Sequence, residues 1–221
     1  KWEWRNKQEL DFFFLNQNDH SSSPQVKEHV QKNQTDPVDA DLTWLGVRAI
    51  GQWKTRVLGG IHYWLETGFV DGKETAFDFD DIGGGISEVG SQTRQGVQGW
   101  AFDLGATWES KLAGRPSLTL GYAVGSGDKN PNDNTDQSYR QTGLHDNNGR
   151  FSGVNRFRYY GELFRPELSN IDIKTVAMGF PILKSSSIEV LFHRYHQIEL
   201  QKGRFRNADI KAPALGSKKH I

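Results

Sequence analysis

Seven stretches of this chain alternate apolar residues with polar or small ones at every second position, and the links between them run alternately short and long. A period of two puts successive side chains on opposite faces of a strand, so each stretch has one greasy face and one wet face. Across residues 9–16, Leu10, Phe12 and Phe14 oppose Glu9 and Asp11. Across 42–50, Thr43, Leu45, Val47 and Ala49 oppose Trp44, Gly46 and Arg48. Across 55–67, Val57, Ile61, Tyr63 and Leu65 oppose Arg56, Gly60, His62 and Glu66. Residues 100–108 and 117–125 repeat the pattern, with Phe102, Leu104, Ala106 and Trp108 on one strand and Leu118, Leu120, Tyr122 and Val124 on the next. Across 170–179, Ile171, Ile173 and Ala177 oppose Asp172 and Lys174. Across 187–195, Ile188, Val190 and Phe192 oppose Glu189 and His193, and Arg194 falls on the apolar side, which suits a membrane interface.

The links decide between a soluble sheet and a membrane wall. Residues 51–54, 110–116 and 183–186 read as tight connections, whereas 17–41, 69–98, 127–167 and the stretch from Gln197 onward are long and polar. A soluble sandwich has no need for every second loop to be long, and long structureless loops count against a compact domain. Short periplasmic turns alternating with long external loops are the pattern of an outer-membrane β-barrel. Trp64, Trp100, Trp108, Tyr63 and Phe180 sit near the expected strand ends, where an aromatic girdle would lie, and Trp53 sits in a tight link.

Composition agrees. Only 35% of residues are hydrophobic, yet 12% are aromatic and 24 are glycine, which fits a wall greasy on one side and wet on the other. No apolar run approaches the roughly 20 residues of a transmembrane helix. Lys plus Arg and Asp plus Glu are both 27, so net charge predicts no nucleic-acid partner. The absence of cysteine excludes disulfides and thiolate zinc sites. The fold expected is all-β: an antiparallel transmembrane β-barrel, partial, of about eight strands, forming one domain over residues 1–221. Both ends read as cuts inside a longer barrel.

Several blocks carry a family resemblance. They are LTWLG from Leu42, WAFDLGATW from Trp100, GYAVGSGD from Gly121, QTGL from Gln141, and Phe151-Ser-Gly leading to GELFRPELSN from Gly161. From about Asp41 onward, their order and spacing resemble the alginate-export family of outer-membrane porins. That resemblance implies a bacterial outer-membrane location, contact with outer-membrane lipid, and passive export of an anionic polysaccharide such as alginate through an arginine-lined lumen. A periplasmic export complex is the further partner it implies. The family's arginines include one shortly before the GE-x-FR block, which matches Arg156. Where the family has another, just after QTGL, this chain has Asn148, with Arg150 two residues on.

The chemistry needs cations of this kind. A polyuronate carries one carboxylate per sugar, and the guanidinium fork matches a carboxylate. Several moderate sites in series let a chain move, where one tight site would hold it. The richest stretch holds Arg150, Arg156, Arg158 and Arg165 among Phe151, Phe157, Tyr159, Tyr160 and Phe164. The bland alternative is a solvated loop whose charges pair with Glu162 and Glu167. Arg48, Arg56 and Lys174 are expected on the lumen face, because an arginine facing lipid near the midplane costs about 2–4 kcal/mol. They too could simply pair with Glu66, Asp103, Asp172 or Glu189.

Two other functions are compatible with the same strands. The same barrel could take up oligosaccharides or serve as a general porin. A soluble β-rich carbohydrate-active enzyme could use Asp78, Asp80 and Asp81 as acid and base, or the same adjacent carboxylates could bind calcium. However, no nucleophile elbow, phosphate loop or zinc motif is present, so neither a catalytic residue nor a cofactor is expected. Asp128-Lys-Asn-Pro-Asn-Asp lacks the glycine and glutamate that an EF-hand requires, and His62, His193 and His196 do not share a strand face at metal spacing, so no metal site is expected either.

Overall fold

The computed structural model describes residues 8–20, 24–31, 39–141, 148–149, 157–158, 160, 166–183 and 186–199. Its elements are β1 (Gln8–Asp19), β2 (His29–Gln31), β3 (Ala40–Lys54), β4 (Gly60–Gly83), β5 (Ile86–Glu109), β6 (Ser117–Gly125), β7 (Thr135–Asp136), β8 (Asn148–Gly149), β9 (Phe157–Arg158), β10 (Ile171–Leu183) and β11 (Ser186–Gln197). The long strands pair antiparallel in the order β1-β3-β4-β5-β6-β10-β11, an up-and-down meander that is not closed. β2 and β7 add short pairings on β5, and β8 pairs with β9. Among the described residues there is no helix.

Register sorts the side chains into two faces. The open face carries Leu10, Phe12, Phe14, Leu45, Leu65, Phe69, Trp100, Leu104, Leu120, Val176, Met178, Phe180, Val190 and Phe192, all exposed. Exposed large apolar residues in a continuous band need another apolar phase against them. The band is bounded by aromatics. At the turn end, Trp53 packs on Tyr63 with ring centroids 5.1 Å apart, and the Trp108 indole donates to the Leu58 carbonyl at 2.8 Å. At the loop end stand Phe69 and Trp100, register partners. Ile61 and Phe69 are eight residues apart, about 27 Å along a strand, which after strand tilt is close to the height of a barrel's apolar band. The band also steps toward the turns from β4 to β11. Lys174 and Arg194 lie in the same ladder row as Leu65 and Leu104. A band that is level in a membrane crosses tilted strands in this stepped way.

The other face is covered. Trp44, Val70, Val97, Ala101, Ala123, Ile171 and Ile173 form its core with Tyr139, Tyr160 and Leu168 from the β6–β10 connection. The connection therefore folds down onto the sheet. Gly99 is required where it crosses: a Cβ there would lie 2.6 Å from the Tyr139 Cα, a backbone contact that cannot give way.

Three sequence expectations need correction. The first link is residues 55–59, not 51–54. Thr55 N–H donates to the Gly59 carbonyl at 2.8 Å, the Thr55 hydroxyl accepts from Leu58 N–H at 3.0 Å, and Gly59 takes a left-handed φ of 98°. Val57 and Leu58 keep the stretch hydrophobic through the turn, so the alternation runs on without a break. Second, residues 69–98 are not a loop but the outer half of a hairpin, whose 24-residue strands turn at left-handed Gly83, Gly84 and Gly85. Polar residues on both faces hide the strand period there, while the ladder continues. Third, Trp64 is on the covered face rather than in a girdle. The links at 110–116 and at 183–186 fall where expected.

Candidate functional site

The covered face holds two polar regions. Near the loop end, Arg140 is buried between two carboxylates. Its Nη2 donates to Glu74 Oε1 at 2.6 Å and also bonds Asp136, and its Nε reaches Glu74 Oε2 at 3.4 Å. The Trp44 indole donates to the Arg140 carbonyl at 2.7 Å, so strand β3 holds the backbone in place. Burial works against ionising Asp136, but the charge and hydrogen bonds of Arg140 outweigh it and leave its pKa below the ordinary 3.8. Burial likewise opposes the Arg140 charge, and Glu74 and Asp136 outweigh it. Next to them, burial and then Glu66 push the Tyr139 hydroxyl up to about 12. A cation held this way is a fastener for the connection and has little charge left to offer a substrate.

Halfway down the wall the arrangement is looser. Asp103 accepts from the Trp64 indole at 2.8 Å and from the Tyr160 hydroxyl at 2.6 Å, and the Tyr195 hydroxyl donates to the Tyr160 carbonyl at 2.8 Å. This chain ties β4, β5, the connection and β11 together. Arg48 lies in the same row, between register partners Asp11 and Glu66, with Glu66 Oε2 at 3.9 Å and about half the guanidinium side chain exposed. At that distance and exposure the pairing is weak, so Arg48 can still meet an anion.

The other expected cations divide. Arg56 is not on a strand face at all; it lies exposed in the 55–59 turn, where its carbonyl accepts from Lys111 Nζ at 3.0 Å. Lys174 is not on the covered face. It shares the open face with Val176 and Met178, and the buried series Ile171, Ile173 and Ala177 lies on the covered face instead. Both faces of β10 are apolar, so alternation alone could be read either way round. Arg150, Arg156 and Arg165 lie outside the described residues, as does the Arg158 side chain; the Arg158 backbone is in β9. Arg140, Glu74 and Asp136 were missed from sequence. The one available signal was position, since Arg140 directly precedes the QTGL block.

The acidic stretch at residues 77–85 forms the hairpin tip. Asp78, Asp80 and Asp81 are exposed there, and the Asp81 carboxylate caps Gly83 N–H at 3.0 Å. Among the described residues no three His, Asp or Glu side chains are grouped to hold a metal, and no helix is long and apolar enough to cross a membrane.

A meander with one greasy face, girdled by aromatics, and one face covered by an inward connection is matched at family level. The model of the family described as Alginate export matches residues 1–216. The chain belongs to the alginate export family. It is 28% identical over 163 residues to the alginate production protein AlgE of Pseudomonas aeruginosa, covering 72% of this chain and 31% of that protein. It is 27% identical over 104 residues to the alginate production protein AlgE of Azotobacter vinelandii, covering 47% of this chain and 21% of that protein. The chain thus spans about a third or less of these relatives. Membership in the alginate export family gives a setting for the covered face and the residues that line it.

Proposed function

We propose that this chain is one partial domain in the wall of a bacterial outer-membrane β-barrel, and that the barrel lets an anionic polysaccharide such as alginate pass outward without catalysis. The open face meets lipid, the covered face lines the lumen, and the short links face the periplasm. The carrying observation is the exposed apolar band between two aromatic rows, opposite a polar face with a connection folded onto it. Passage is passive, driven by polymer synthesis or by a periplasmic partner.

In this reading Arg48 supplies one moderate lumen cation, and Arg150, Arg156, Arg158 and Arg165 of the β6–β10 connection supply the rest. The row around Arg48 also holds Asp11, Glu66 and Asp103, so the wall by itself is not electropositive. Anion preference has to come from the connection. The test is single-channel conductance of the full-length barrel in a planar bilayer, with polymannuronate as blocker. Anion-selective current that the polymer blocks, with block weakened several-fold in Arg156→Ala, is the expected result. Current indifferent to the polymer would overturn the substrate, and no current would overturn the channel.

A further inference from the structure

At the loop ends of β5, β6, β10 and β11, where the open face passes from apolar to polar, lies a groove of about 410 Å³. That is the size of a small-molecule site. The side chains that matter are Trp100, Tyr122, Lys129, Gln137, Asp172 and Glu199. Trp100 is 46% exposed, so its ring is open to a ligand. Asp172 is engaged by His196 at 3.2 Å. Among the described residues, the side chains of the other five have no hydrogen bond or ion pair. An indole N–H, a phenol, an ammonium, an amide and a carboxylate therefore converge on one space with their bonding capacity unused. A few convergent polar groups beside aromatic rings are what a ligand groove presents.

Charge selects the ligand. Asp172 and Glu199 set two carboxylates against the single ammonium of Lys129, so the groove has no surplus of cations for a phosphate or a uronate. A sugar without acidic groups fits better. Its hydroxyls donate to Glu199, accept from Lys129 and the Trp100 indole, and do both with the Gln137 amide. Its C–H face, which is apolar, lies on an aromatic ring. We propose that this groove binds a neutral or amino sugar, with Trp100 as the stacking ring and Lys129, Gln137 and Glu199 as the hydroxyl partners. Its placement rests on the barrel reading above. Asp172 is four residues loopward of Val176, about 13 Å along the strand, which puts the groove beyond the apolar band at the level of outer-leaflet headgroups. The sugar then belongs to a membrane glycolipid or to a free saccharide. It differs in charge from the polysaccharide proposed for the lumen, so the two sites do not compete.

The test is saturation-transfer NMR on the full-length protein in detergent micelles. The probes are a neutral disaccharide of N-acetylglucosamine and a dimer of mannuronate. Wild type should saturate the neutral sugar and leave the mannuronate dimer nearly untouched. The signal should fall about fivefold in Trp100→Leu, the worth of one aromatic contact. It should fall about tenfold or more in Gln137→Ala with Glu199→Ala, the worth of two hydrogen bonds. These side chains bind nothing else in the described wall, so the variants fold. No signal in wild type, an equal signal from mannuronate, or a full signal in both variants would overturn the site. Nanodiscs separate the two sources. Loss of the disaccharide signal in discs of outer-membrane glycolipid, but not of phosphatidylglycerol, assigns the groove to the lipid-borne sugar, and a signal kept in both assigns it to a free saccharide. Bilayer conductance of the same preparation separates this site from the channel. Protein that conducts without binding the disaccharide refutes the groove alone, and protein that binds it without conducting refutes the channel alone.

Discussion

Arg140 and Arg48 lie on the same face of the same sheet and do different work. Arg140 is buried, donates hydrogen bonds to two carboxylates, and has its backbone held by Trp44. Arg48 is half exposed, with its nearest carboxylate oxygen 3.9 Å away. The first arginine fastens a connection to the wall and the second is open to solvent. An arginine on the covered face is therefore not by itself a binding site for an anion; what matters is how fully the protein has already neutralised it.

The sharpest way to break this contrast is to remove the buried cation. Arg140→Met would leave Glu74 and Asp136 buried without a counter-charge, and should cost about 3–5 kcal/mol. Denaturant unfolding in detergent measures it. A cost below about 1 kcal/mol would mean that Arg140 is no more committed than a surface ion pair. Replacing all three members by apolar residues should restore most of the loss.

Acid attacks the same fastener. Because the Asp136 pKa is lowered on folding, its contribution is intact above the ordinary 3.8 and fades as pH drops through the lower folded value. The connection should resist an acid-active protease at pH 5 and become cleavable near residues 136–141 only below about pH 4. Cleavage that instead sets in between pH 6 and 5 would point to a histidine, not to Asp136.

A smaller effect is expected beside Arg48, on the turn side of its row. The Trp64 ring lies against Gly105, and a Cβ there would collide with the indole. Gly105→Ala should displace Trp64 from Asp103 and cost about 1–3 kcal/mol, visible as a shift in tryptophan emission together with lower unfolding stability. Unchanged emission would place the ring elsewhere. The smallest stability effect belongs to Arg48→Gln, about 0.2–1 kcal/mol. Its consequence should appear instead as weaker polymer block of the channel.

Much of the fold is legible because a strand with one apolar face must alternate, and in six of the seven stretches the expected apolar series lies on the open face. The exceptions share a cause: where both faces have similar polarity, the period vanishes. β10 is apolar on both sides, so alternation puts Lys174 on the covered face although the structure has it on the open one. The outer half of the β4–β5 hairpin is polar on both sides, so its sequence has the look of a loop. Val57 and Leu58 give a turn the look of a strand. The site was less legible. Arg48 could be placed from its neighbours, but Arg140, Glu74 and Asp136 are brought together across 66 positions of sequence by the inward connection, and no local pattern reports such a contact.

The central claim is that the open face meets lipid, and cysteine scanning tests it most directly, since the chain has no cysteine of its own. Single cysteines at positions 174 to 180 and 188 to 194 of the membrane-embedded protein would be treated with a membrane-impermeant maleimide. Labelling should alternate with a period of two along 188 to 194, where positions 189, 191 and 193 are half-buried, and positions 176, 178, 190 and 192 should stay protected until detergent denaturation. Ready labelling at those four positions in the intact membrane would contradict the account.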